Sequence, residues 1–138
     1  MIQAMNILLV DDDPTEFIFL EDALDADGGG HTLSYAESGR AALTQLRKFT
    51  PDVIILDLRM PGMTGFDVLE AVRADPSLAD AAVMVLSNSA IAADRNQALA
   101  LGAQDYRVKP LTPDGYAELV DAMAKLARHA GRAQQRRA

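Results

Sequence analysis

The amino-acid sequence predicts an α/β domain built on a doubly wound, five-stranded parallel sheet. Three observations carry that expectation. Apolar runs at 7–10, 53–56 and 82–86 show no polar alternation, as strands do when both faces of a sheet are covered. Segments with apolar residues three and four apart lie between the runs, so strand and helix patterns alternate, and five βα units imply right-handed crossovers within one sheet. Finally, 138 residues with 49% hydrophobic content suffice for one domain with an ordinary core and not for two.

Taken in order, the first strand, ILLV at 7–10, runs straight into Asp11, Asp12 and Asp13, with Pro14 next. Proline is favoured at the first position inside a helix, which makes Asp13 the N-cap. Glu16 then falls at the third helical position, the pattern of a capping box. Phe17, Leu20 and Leu24 share a face of this first helix, and GGG at 28–30 ends it. A weaker strand is expected over 32–36. Ser38 suits the cap of a second helix, in which Ala42, Leu43 and Leu46 share a face. Pro51 precedes the third strand, and Phe66, Leu69 and Val72 mark the third helix. After the fourth strand, 90–101 is Ala-rich and poorly amphipathic, so its helix is expected to be lightly anchored; Gly102 follows it. A weak fifth strand over 104–108 leads to the clearest helix, with Tyr116, Leu119, Val120, Met123, Leu126 and Ala127 at spacings of three and four.

Composition narrows the function. Without cysteine there is no disulfide, no thiolate nucleophile and no Cys-based zinc site. The two histidines, His31 and His129, are far apart and read as surface residues rather than ligands. No apolar run approaches the length needed to cross a bilayer, and MIQAMN is no charged leader, so a soluble, cytoplasmic protein with no membrane partner is expected. A net charge of -7 argues against nucleic acid. After Asp121 every charged side chain is basic (Lys125, Arg128, Arg132, Arg136 and Arg137), which reads as a helix C-terminus favoured by cations and then a tail.

In a doubly wound sheet the ligand site lies beyond the carboxyl ends of the strands, near the switch in strand order. Polar residues collect at those ends: Asp11 and Asp12, then Asp57, Ser87 and Lys109. Neighbouring carboxylates repel, so either a metal compensates the acidic run or its members face different ways. Three carboxylates against one ammonium favour a hard divalent cation with oxygen ligands, and magnesium suits that donor set. An aspartate as nucleophile, a hydroxyl donor and a lysine as compact positive charge then fit phosphoryl transfer.

These residues, in this order, resemble the site of the receiver domains of two-component response regulators: Asp11 and Asp12, Asp57 in DLRMPGMTG, Ser87 in VMVLSNSA and Lys109 in YRVKPL, over Asn6 to about Leu126. The resemblance implies a flavodoxin-like (βα)5 fold with strand order 2-1-3-4-5. It implies a receiver domain over 1–126; the basic extension over 127–138 leaves too few residues for an output domain, so none is expected. It implies a phosphoacceptor signalling protein rather than an enzyme. Asp57 would take a phosphoryl group from a histidine kinase or a histidine phosphotransfer protein. Magnesium would be held by Asp12 directly, by Asp11 mainly through water, by Asp57 and by the Arg59 backbone carbonyl. Ser87 and Lys109 would bind phosphoryl oxygens, Tyr106 would be the switch aromatic that turns inward with Ser87, and the Lys109–Pro110 peptide would be cis. Arg59 and Ser89 occupy the positions that tune dephosphorylation, Arg59 either shielding the phosphate or pointing into solvent. DDDPTEFIFLEDAL, with the later VRADPSLADAAVMVLSNSA, is similar to small receivers that serve bacterial phytochromes, and a homodimer through the fourth helix, fifth strand and fifth helix is a family option.

One rival comes from another class. Asp11, Asp13 and Thr15 match the DxDxT opening of haloacid dehalogenase-like phosphatases, although no later apolar strand ends in an acidic pair and Asp57 finds no use there. With Asp13 capping the first helix and facing another way, only Asp11 and Asp12 of the acidic run are expected to serve the metal.

Overall fold

A computed structural model describes the backbone of residues 4–137 and the side chains up to residue 128. The elements are β1 (Asn6–Val10), α1 (Pro14–Asp27), β2 (Thr32–Ala36), α2 (Gly39–Leu46), β3 (Val53–Leu56), α3 (Gly65–Ala74), a 3-10 turn (Pro76–Leu78), β4 (Ala82–Ser87), α4 (Ala92–Ala100), β5 (Asp105–Val108) and α5 (Pro113–Arg137). All four strand pairings are parallel and the order is β2-β1-β3-β4-β5. The chain therefore moves outward from β1 to β2, then returns to the far side of β1 with β3, and the crevice of the switch point opens between the ends of β1 and β3.

Alternation along the strands divides the core in two. Leu8, Val10, Ile54, Leu56, Val83 and Val85 face α2, α3 and α4, while Ile7, Leu9, Ile55, Met84 and Leu86 face α1 and α5. This two-sided burial is why the central strands are apolar throughout. Helix ends follow the punctuation: Ser38 Oγ accepts the Ala41 amide at the start of α2, and Gly28 closes α1 in the left-handed conformation. Thr64 and Asp67 form a reciprocal capping box on α3. As the composition of 90–101 implies, α4 has no side-chain cap bond and buries only Asp94 and Ala98. Helix α5 runs without a break past Leu126 to Arg137. The side chains of His129, Arg132, Arg136 and Arg137 lie outside the described residues. His31, expected at the surface, instead tucks its ring beneath the start of β1: Nδ1 accepts the Met5 amide at 2.9 Å and Nε2 lies 2.8 Å from Asp27 Oδ2. No helix among the described residues is long and apolar enough to cross a membrane.

Candidate functional site

Ser87 is the last residue of β4, while Asp11, Asp57 and Lys109 each stand at the first residue beyond a strand, held by one further backbone bond. The Asp11 amide donates to Ala36 O, the Asp57 amide to Val10 O, and the Lys109 amide to Ser87 O. Pairing thus continues past the regular strands and fixes where these side chains leave the sheet. The loop after β3 must also fold back closely. A Cβ on Gly65 would stand 2.2 Å from the Asp57 carbonyl oxygen, so only glycine lets α3 begin against the end of β3.

Asp12, Asp57, Arg59, Ser87, Ser89 and Lys109 line one cavity of about 500 Å³ at these strand ends. Asp11 lies fully buried beneath it. Its Oδ1 accepts the Asp13 amide at 2.9 Å, and its Oδ2 is 2.9 Å from Lys109 Nζ. That Oδ2 receives no well-aligned hydrogen bond, so the ammonium is its one compensation among the described residues. Lys109 Nζ also lies 3.9 Å from Asp57 Oδ2. Burial disfavours the ammonium, but the carboxylates of Asp11, Asp57 and Glu16 outweigh it and raise Lys109 above its ordinary value. Asp57 is pushed up to about 6, first by burial and then by the negative charge of Asp11, against the lowering effects of Lys109 and the Arg59 backbone N–H.

One carboxylate oxygen from each of Asp11, Asp12 and Asp57 falls within 4.8 Å of the others. The donors are all hard carboxylate oxygens, and the one ammonium beside them reaches only Asp11 and Asp57 among the described residues. This set fits magnesium and would not suit a soft metal.

Other residues depart from expectation or sharpen it. Asp13 is the N-cap of α1 and accepts the Thr15 amide at 3.0 Å, but the capping box is not completed. Glu16 shares a stripe with Leu20 and Leu24, so its carboxylate is turned inward, where Oε2 accepts the Tyr116 hydroxyl at 2.8 Å. The Asp13 amide, which Glu16 would have taken, goes to Asp11. With Asp13 spent on the helix, the phosphatase reading loses the second aspartate of its motif. The Lys109–Pro110 peptide is trans rather than cis. Trans is the favoured isomer even before proline, by about 0.5–1 kcal/mol, and Lys109 reaches the cavity from it. Arg59 neither covers the acidic cluster nor points freely into solvent: its Nη2 donates to both carboxylate oxygens of Asp94, each at 2.8 Å. The Ser89 side chain and the Arg59 guanidinium hold Asp94 below the usual carboxylate range. Tyr106 is buried, with its hydroxyl donating to Ser89 O at 2.6 Å, and Ser87 Oγ accepts the Ser89 amide at 3.1 Å.

Glu16, Tyr116, Tyr35 and Asp94 escaped the sequence reading of the site. Glu16 carried a signal, since a carboxylate in register with Leu20 and Leu24 must be buried and must find a partner. The others gave none: Tyr116 reads as core, Tyr35, whose hydroxyl donates to Asp11 O at 2.7 Å, reads as an ordinary strand residue, and Asp94 as an ordinary first-turn acid.

The chain is similar to known proteins over most of its length. The family model of the response regulator receiver domain matches residues 7–122. Protein PilH of Pseudomonas aeruginosa is 30% identical over 118 residues, which cover 86% of this chain and 96% of PilH. The DNA-binding response regulator MtrA of Mycolicibacterium smegmatis is 37% identical over 108 residues, 78% of this chain but 45% of MtrA, so the chain spans less than half of that relative. The solved structure of the phosphorylated cyanobacterial phytochrome response regulator RcpA superposes with a TM-score of 0.79 at 27% identity, covering 87% of this chain and 91% of that one. Chemotaxis protein CheY4 of Vibrio cholerae gives 0.77 at 29%, covering 88% and 98%. From the strand order, the convergence of strand ends on one acidic cavity and a match over 7–122, the chain belongs to the response regulator receiver domains of two-component signalling.

Proposed function

We propose that the chain is a magnesium-dependent phosphoacceptor, with Asp57 taking a phosphoryl group from a histidine kinase or a histidine phosphotransfer protein. The observation that carries this reading is the meeting of Asp57, Ser87 and Lys109 in one cavity, beside an acidic cluster that a single ammonium leaves undercompensated. With a carboxyl at about 6, Asp57 is about nine-tenths ionised at pH 7, so the nucleophile is present without a separate base. An Asp57 oxygen bonds to phosphorus as the donor's nitrogen–phosphorus bond breaks. Lys109 neutralises one phosphoryl oxygen, and the Ser87 hydroxyl donates to another. Asp12, Asp57 and the Arg59 carbonyl, with Asp11 acting through water, would hold magnesium, which when bound neutralises charge on the transferring group. Tyr106, already inward against Ser89, is positioned to follow a movement of Ser87.

A donor protein needs a surface beside the cavity. Leu111, 99% exposed and two residues beyond Lys109, offers apolar contact there, with Phe19 of α1 also exposed. The phytochrome-type kinase remains one candidate donor, supported by the likeness to RcpA. A cytoplasmic location and a dimer through α4, β5 and α5 belong to the same proposal.

The test uses magnesium and a small acyl phosphate donor. Wild type should acquire an acid-stable, base-labile label and Asp57→Asn should not. Label kept by Asp57→Asn and lost by Asp11→Asn would refute the assignment in favour of the phosphatase-type use of Asp11.

A further inference from the structure

We propose that Asp94 is a positioning residue that holds Arg59 back from the phosphoryl-facing cavity and so keeps the path of hydrolytic water open. The inference rests on the phosphoacceptor reading above. Arg59 stands two residues beyond Asp57 and lines the cavity, yet its guanidinium is drawn aside by two 2.8 Å contacts to Asp94 in the first turn of α4. Asp94 also contacts the Ser89 side chain, on the wall formed by the end of β4. One carboxylate thus gathers the side chains of Arg59 and Ser89, which border the cavity from two different loops.

The pair is a poor stability device. The Arg59 side chain is 64% exposed, and an ion pair so open to water contributes little to folding. Its consequence lies in where it puts the cation. Once released from Asp94, a long side chain anchored two residues from Asp57 has the Asp11, Asp12 and Asp57 cluster as its nearest excess of negative charge, and a phosphoryl group on Asp57 adds to that attraction. Helix α4 is lightly anchored, with Asp94 and Ala98 as its only buried residues, so any shift of α4 would loosen the hold on Arg59.

Hydrolysis of the aspartyl phosphate joins a water oxygen to phosphorus and breaks the bond from phosphorus to the Asp57 oxygen. Inorganic phosphate leaves, the Asp57 carboxylate is restored and one proton passes to solvent. A guanidinium lying over the phosphoryl group obstructs that water. The experiment follows loss of label from phosphorylated full-length protein in wild type, Asp94→Ala, Asp94→Glu, Arg59→Ala and the Asp94→Ala/Arg59→Ala double variant, with thermal melts of each. Asp94→Ala should lengthen the phosphorylated lifetime at least about threefold, a barrier change well within reach of one displaced side chain. Asp94→Glu should restore the wild-type lifetime, and Asp94→Ala should have no effect when Arg59 is already Ala. An unchanged or shortened lifetime in Asp94→Ala overturns the proposal, as does an equal effect in both Arg59 backgrounds, the mark of a general role in α4. If wild type takes no label at all, the phosphoacceptor reading itself has failed; if it labels normally and Asp94→Ala matches it, only this inference has.

Discussion

Replacing Asp57 by Asn should make the metal-free protein more stable at neutral pH, although it removes the phosphoacceptor. The carboxyl is raised from 3.8 to about 6, chiefly by burial and then by the neighbouring charge of Asp11. Below 3.8 folded and unfolded chains both hold the proton and the group costs nothing. Between 3.8 and about 6 the unfolded chain ionises first, so stability falls as pH rises through this window and stays lowered above it. At about 1.36 kcal/mol per pH unit the loss has a ceiling of about 3 kcal/mol, and water in the open cavity reduces it to about 1–2 kcal/mol. Asn keeps the oxygen that accepts the Arg59 amide while removing the charge. Urea and thermal melts at pH 4, 5, 6, 7 and 8 in chelator should show Asp57→Asn gaining on wild type from about pH 4 upward, by several degrees at pH 7. Saturating magnesium should reverse the order, because wild type binds it better and a ligand at about one hundred times its Kd adds about 2.7 kcal/mol. A variant less stable than wild type at pH 7 in chelator would refute the claim that Asp57 is held ionised at a cost.

Other outcomes follow from the same geometry. Asp12→Asn should abolish or severely weaken magnesium binding in calorimetric titration, whereas Asp13→Ala should lower stability by about 1 kcal/mol as a lost cap and leave magnesium affinity nearly intact. Tyr116→Phe strands the inward carboxylate of Glu16 and should cost about 1–3 kcal/mol by urea melt, an effect much reduced when Glu16 is also replaced by Leu. Leu111→Asp should slow phosphotransfer from a cognate histidine kinase without changing labelling by a small donor; equal rates from the kinase would remove Leu111 from the docking surface.

Much of this could be read along the chain because the information was local. Buried parallel strands forced continuous apolar runs such as VIIL at 53–56, and the residues that follow strands in such a sheet must meet at one edge. That Asp11, Asp12, Asp57, Ser87 and Lys109 share one edge of the sheet therefore follows from the sequence pattern. Pro14 located the start of α1 and the role of Asp13 in the same way. What stayed hidden depended on partners distant in sequence. Glu16 satisfies Tyr116 one hundred positions away instead of its own helix end, and Arg59 chooses Asp94 thirty-five positions on. Neither choice follows from a residue's own neighbours, because each is settled by how α1 packs on α5 and how α4 approaches the loop after β3. The Lys109–Pro110 bond is a third case: the resemblance implied cis, and the chain adopts the intrinsically favoured trans.

Whether Asp57 carries the phosphoryl group is read out by borohydride trapping. Protein phosphorylated by a small acyl phosphate donor with magnesium is treated with borohydride, which reduces an acyl phosphate to the alcohol, and the peptides are mapped by mass spectrometry. Homoserine should be found at position 57, dependent on magnesium and on the donor, with Asp11, Asp12 and Asp13 unmodified. Homoserine at 11 or 13 with position 57 intact would contradict the assignment of Asp57.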